Sequence, residues 1–211
     1  MSNVLLVQWK KIQQGFTIIE LMVSIAVLGV ITAIAMPSLS EFLIKMRVDN
    51  EIAQLQRMVL TARNTAINLG QNVTLCPLNG SNNCTNNWAD ELTVFVDLDQ
   101  DNVFEPNAIV AVAAAPGVPA VSAVAAEIRI KVKKAVNTAD TLNYAAVTRI
   151  TFAPTGLLVG NLNGTFSYCP NGHSELNRAV IISASGRAYQ SSDTDNDGED
   201  EDRNNNAITC P

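Results

Sequence analysis

The sequence predicts an α+β protein: a long N-terminal helix, transmembrane over its first half, packed on an antiparallel β-sheet domain. Three observations carry that prediction. An apolar run from Phe16 to Met36 is broken by one acid, Glu20. Beyond it, Ile52, Leu55, Val59, Ala62, Ala66 and Leu69 recur at alternating spacings of three and four, which draws one stripe along a helix. After Gly70 the periodicity changes to short alternating runs separated by turn residues.

The first element is the apolar run. At 1.5 Å per residue its 21 positions span about 30 Å, the thickness of a bilayer's hydrocarbon core. A carboxylate inside such a helix is costly, about 2.5–3.5 kcal/mol on insertion scales, so Glu20 marks a function. Lys10 and Lys11 precede the run and set the N-terminus on the cytoplasmic side, with everything after Pro37 on the outer side of the inner membrane. An ordinary secretory signal places its small residue after the apolar region. Here Gly15 lies before it, so a cut after Gly15 removes the charged residues and leaves the apolar helix in place.

The helix is expected to continue past Pro37 and to stop at Gly70. Lys45, Arg47, Asp49, Glu51, Arg57 and Arg63 lie mostly off the apolar stripe, so that stripe reads as core. Strands are expected at Val73–Cys76, Leu92–Val96, Ile128–Lys133, Arg149–Phe152, Thr165–Cys169 and Ala179–Ser183. The stretch 107–126 is rich in Ala and Val and carries no charge; it reads as a long hairpin loop or an interrupted strand, covered by a neighbouring subunit or a plain insertion. The resulting division is residues 1–15 as a cleaved leader, 16–70 as the helix with its membrane span at about 16–36, 71–190 as the globular β domain, and 191–211 as an acidic C-terminal tail.

The chain carries 14 basic and 20 acidic side chains; without Lys10 and Lys11 the balance is 12 against 20, a net charge of −8. Seven acids fall between Asp193 and Asp202, so the acidity is mostly in the tail. The four cysteines, Cys76, Cys84, Cys169 and Cys210, suit two disulfides in an oxidising compartment. Of three possible pairings, short separation favours Cys76–Cys84 and leaves Cys169–Cys210. A zinc site is the weaker reading, because no CxxC pair is present and His173 is the one histidine.

The N-terminal pattern resembles the type IV prepilin leader: Gly15, Phe16, Thr17, Glu20 at the fifth position after the cut, and Pro37 at the twenty-second. The resemblance implies cleavage between Gly15 and Phe16 by a prepilin peptidase and N-methylation of Phe16. It also implies assembly with other pilin subunits on an inner-membrane platform, with Glu20 neutralising a neighbour's new amine. The remainder resembles the GspH/FimT type of minor pilin or pseudopilin. Its marks are Ala62-Arg63 with Ala66-Ile67, Val73-Thr74-Leu75-Cys76-Pro77, Trp88, Phe95-Val96-Asp97, Ile150-Thr151-Phe152 with Pro154 and Gly156, Gly164-Thr165-Phe166 with Cys169, and Arg178–Ser183 followed by Ser185-Gly186-Arg187. That implies a structural and assembly subunit of a type IV pilus, without enzymatic activity. The alternatives are a type II secretion pseudopilin and a DNA-binding minor pilin of natural transformation.

Two kinds of candidate site remain. Arg187, Arg178, Lys131 and Lys133 are the cations that would hold DNA, with Tyr189 to stack on a base. Against that, Gly186-Arg187-Ala188-Tyr189 keeps one arginine of the family's Gly-Arg-x-Arg turn and lacks the second. Asp193, Asp195 and Asp197, followed by Gly198, open like a calcium loop, and Asp97, Asp99 and Asp101 form a second set. The bland readings are a solvated acidic linker and an Asp-rich turn. No catalytic constellation, phosphate-binding glycine loop or GxSxG elbow is present in the sequence.

Overall fold

The computed structural model describes residues 15–109, 123, 125–144, 147–160 and 162–210. The leader residues 1–14, with Lys10 and Lys11, and most of the Ala/Val-rich stretch lie outside the described residues. The chain divides into two compact units, residues 1–43 and 44–211, with helix α1 (Ile18–Leu69) running through the division.

The first unit is helical from Ile18 onward. Thr17 starts the helix: its Oγ1 accepts the backbone N–H of Glu20 at 3.2 Å and fills one of the free donors of the first turn. The Thr-x-x-Glu spacing is the sequence signature of such a cap, although the periodicity of the apolar run conceals it. Every described side chain from Gly15 to Leu43 is exposed.

The second unit has two four-stranded antiparallel sheets, where sequence periodicity led to one sheet. The first orders its strands β3 (Arg129–Lys133), β2 (Leu92–Val96), β1 (Val73–Pro77), β5 (Ile150–Phe152); the second orders β4 (Thr141–Tyr144), β6 (Gly164–Cys169), β7 (Arg178–Ile182), β8 (Ala188–Gln190). Strands β4 and β8, four and three residues long, were not foreseen. The α1 stripe meets both sheets in one core: Ile52, Leu55, Val59, Ala62 and Ala66 pack with Leu75, Val94 and Phe152 of the first sheet and with Tyr144, Phe166 and Val180 of the second. Val48 and Met58 join that stripe, whereas Leu69, expected in it, is 52% exposed in the last turn. Trp88 stands edge-on to Phe166 at 5.1 Å and donates its indole N–H to the Val147 carbonyl at 3.0 Å.

All five residues of β1 and of β2 are buried, so both faces of the first sheet are covered at its two inner strands. The second cover is a small cluster of Cys76, Phe95 and Phe104 under the loops that follow β1 and β2. Disulfides join Cys76 to Cys84 and Cys169 to Cys210. The second one fixes the C-terminal stretch, which is not a free tail: Glu201 bridges Ser192 and Ala207, and Asp200 is buried against Arg178 at 3.2 Å.

Several residues that carried the family resemblance converge where α1 ends. Arg63 donates Nε–H to the Gly156 carbonyl at 3.0 Å. Gly186 has φ +73°, and a Cβ there would collide with that same Gly156 oxygen. Only glycine meets both the backbone angle and the close approach, which accounts for the residue type at this turn.

Candidate functional site

The N-terminal group is built from consecutive residues. Phe16 is 87% exposed, Thr17 caps the helix, and Glu20 sits in its first turn with an exposed carboxyl. Its surroundings along the helix are apolar: Ile18, Ile19, Leu21, Met22 and Val23 are all exposed. An 18-residue window of α1 has mean hydropathy 2.5, so by length and composition the helix can cross a membrane. A lone carboxylate on such an apolar helix is costly to leave ionised and unpaired in lipid.

The proposed DNA-binding cations do not form one free patch. Lys133 is buried on β3, and its ammonium pairs with Glu51 of α1 at 2.5 Å. Arg178, on β7 in the other sheet, pairs with Asp200. Lys131 lies beside Lys133 on β3 and is half-buried; Arg187 is exposed in the turn before β8. Tyr189 is already covered, with the Arg203 guanidinium 3.7 Å above its ring. Of the three cations that alternate along β3, Arg129 is exposed, Lys131 half-buried and Lys133 enclosed. His173 is paired with Glu175 at 3.0 Å beside a short 3-10 turn, Ser174–Leu176.

Two acidic clusters are assembled. Asp193, Asp195, Asp197 and Glu201 bring carboxylate oxygens within 4.8 Å of one another. These acids are occupied by their own loop. Asp193 accepts from the amides of Asn196 and Gly198, Asp195 from Asp197, Asp197 from Glu199, and Glu201 from both the amide and hydroxyl of Thr194.

The other cluster lies at the β2–β3 connection. Asp97, Asp99 and Glu127 form one group within 4.8 Å, and Asp99, Asp101 and Glu105 form another. Glu127 returns from beyond the Ala/Val-rich stretch and accepts the Leu98 and Glu105 amides at 2.7 and 3.3 Å. Asp97 accepts from the Thr74 hydroxyl at 2.8 Å. Burial raises the Asp97 carboxyl above its ordinary range, against the hydrogen bond from Thr74, with Asp101 adding repulsion. Burial pushes Glu127 up to about 7, partly opposed by its two backbone donors, and raises Glu105 as well, where Asp101 and Asp99 add to it. Sequence reading found Asp97, Asp99 and Asp101 but missed Glu105 and Glu127; only Glu105, four residues past Asp101, was near enough to be sought.

Comparison with known proteins places these features. The profile of the family described as type II transport protein GspH matches residues 51–186. That of the prokaryotic N-terminal methylation motif matches residues 10–36. Two crystal structures of the type IV minor pilin FimU from Pseudomonas aeruginosa are similar to this chain. One is 20% identical with a TM-score of 0.48, covering 69% of this chain and 88% of its own. The other is 21% identical with a TM-score of 0.47, covering 68% and 92%.

Proposed function

The chain belongs to the GspH family, and from that premise we propose that it is a minor pilin, a structural and assembly subunit of a type IV pilus. A prepilin peptidase cuts between Gly15 and Phe16 and methylates the new amine. The helix from Phe16 to about Met36 then holds the protein in the bacterial inner membrane, N-terminus inward and the β domain in the periplasm. From there it enters the filament through the assembly platform, beside other pilin subunits. Its role is structural, with no catalysis.

The observation that carries this reading is Glu20, exposed in the first turn of a helix whose described neighbours are exposed and apolar. Pairing with the free amine of a neighbour's Phe16 removes the penalty of an isolated carboxylate and sets the axial register of the two copies. Glu20→Ala is therefore expected to be processed normally and to remain in the membrane while vanishing from sheared filaments. Incorporation at the wild-type level would defeat the mechanism.

The family's description as a type II transport protein supports a second reading, a pseudopilin of a secretion system. Loss of the gene then abolishes protein secretion rather than piliation. DNA capture has less support, since Lys133 and Arg178 are committed to Glu51 and Asp200.

A further inference from the structure

We propose that the β2–β3 connection is a calcium site, with Asp97, Asp99 and Glu127 as its principal ligands and Asp101 and Glu105 completing the shell. Oxygens bound to calcium at 2.3–2.6 Å lie at most about 5 Å apart. The carboxylates of Asp97, Asp99 and Glu127 meet that limit, and Asp99 is shared with the second group that contains Asp101 and Glu105.

An independent observation points to a missing ligand. Asp97 is 1% exposed, and its Oδ1 has no hydrogen-bond partner; Glu105 Oε2 is buried and equally orphaned. The Gln100 and Asn102 amides face the Asp97 carboxyl and offset part of its burial, yet neither bonds Oδ1 with acceptable geometry. Among the described residues two other buried side-chain atoms lack a hydrogen bond, Arg47 Nε and Glu51 Oε2, and both sit in ion pairs. Among the described residues no ion pair answers Asp97 or Glu105, although the Glu127 carboxyl is a hydrogen-bonding neighbour of Glu105. No Lys or Arg among the described residues pairs with any of the five acids. Arg129 is turned onto the Phe104 ring at 4.7 Å, and Arg149 shares a cleft with Asp97 without an ion pair. A buried acceptor left without a donor is unfavourable, and a cation is what such a group accepts.

The donors are all hard oxygens, which excludes a preference for soft metals, and so many carboxylates suit calcium better than magnesium, which keeps most of its water. The ion would tie the end of β2 to the residue two positions before β3. The C-terminal loop has the richer calcium-like sequence, and its acids are engaged by its own amides, as Asp99 and Asp101 are by the amides of Asp101 and Val103; what sets the β2–β3 connection apart is the buried Asp97 Oδ1 without a partner.

The test uses the full chain in detergent micelles, freed of metal by chelation, with calcium chloride added during calorimetric titration and thermal unfolding. Saturable binding with a dissociation constant of roughly 10⁻³ M or tighter and a raised midpoint are expected, with magnesium at least about tenfold weaker. Asp99→Asn, an exposed position, is expected to weaken binding at least about tenfold, as is Glu127→Gln, whereas Asp195→Asn leaves it unchanged. The proposal is overturned if wild type shows no calcium-dependent heat or shift, if magnesium acts equally, or if Asp195→Asn removes the response and Asp99→Asn does not.

Discussion

The two units of this chain use the same kind of side chain for opposite ends. In the first, Ile, Leu, Val and Met cover the helix on all sides and remain exposed from Phe16 to Leu43. In the second, the same residue types withdraw to one stripe of α1, and Leu55, Val59 and Ala62 are sealed against two sheets. The second unit thus closes its own core within one chain. Among its described residues the first has no buried side chain and presents its apolar ones outward. Their acids follow suit: Glu127 is accommodated by backbone donors of its own chain, while Glu20 has no such donor from the chain at its carboxyl among the described residues.

Truncating a leucine in each unit is the sharpest way to break that comparison. Leu55→Ala removes a fully buried side chain and is expected to cost about 2–5 kcal/mol, lowering the unfolding midpoint by roughly 10 °C. Leu28→Ala changes a side chain that is 61% exposed and should leave the midpoint of the detergent-solubilised protein unaltered. Equal shifts in the two variants, measured by circular dichroism, would show that the units are not energetically distinct.

What the sequence made legible follows the same division. The apolar run and the 52–66 stripe are periodic over many residues, so the pattern outlasts any single exception. Leu69 broke the pattern because helical phase alone does not say where the covering sheet stops. Of the second sheet the sequence showed the central strands β6 and β7 and missed its edges, β4 and β8. The acids illustrate a further limit. Asp-x-Asp-x-Asp spacing was visible in both loops, yet it could not tell which loop leaves a buried carboxylate oxygen without a partner. Glu127 was invisible as a partner because it lies 22 residues from Glu105 and returns only through the pairing of β2 with β3.

A second difference lies in the covalent staples, both of which are in the second unit. Cys169–Cys210 spans 41 residues and Cys76–Cys84 spans 8. In the chain-entropy model these restrict the unfolded chain by ~4 and ~2.5 kcal/mol respectively. The Cys169→Ser/Cys210→Ser double variant should therefore lose more stability than Cys76→Ser/Cys84→Ser, read as the difference in denaturant midpoint. A reversed order would mean that the C-terminal stretch contributes little to the unit it is tied to.

A third difference concerns how the second unit keeps a buried carboxyl without a partner copy. Glu127 is pushed from 4.5 to about 7 by burial. Over that interval the folded chain binds a proton at this site that the unfolded chain has released, so unfolding releases it and is favoured as pH rises. With chelator present, the contribution of Glu127 is fully retained below about pH 4.5 and is lost as pH climbs through about 7. Glu127→Gln keeps a neutral side chain at every pH, so its midpoint should gain on wild type between those values and run parallel above them. Parallel curves throughout would mean that the two backbone donors already stabilise the ionised form. The second unit would then tolerate its carboxylate by hydrogen bonding alone, whereas the Glu20 carboxyl has no such donor from the chain among the described residues.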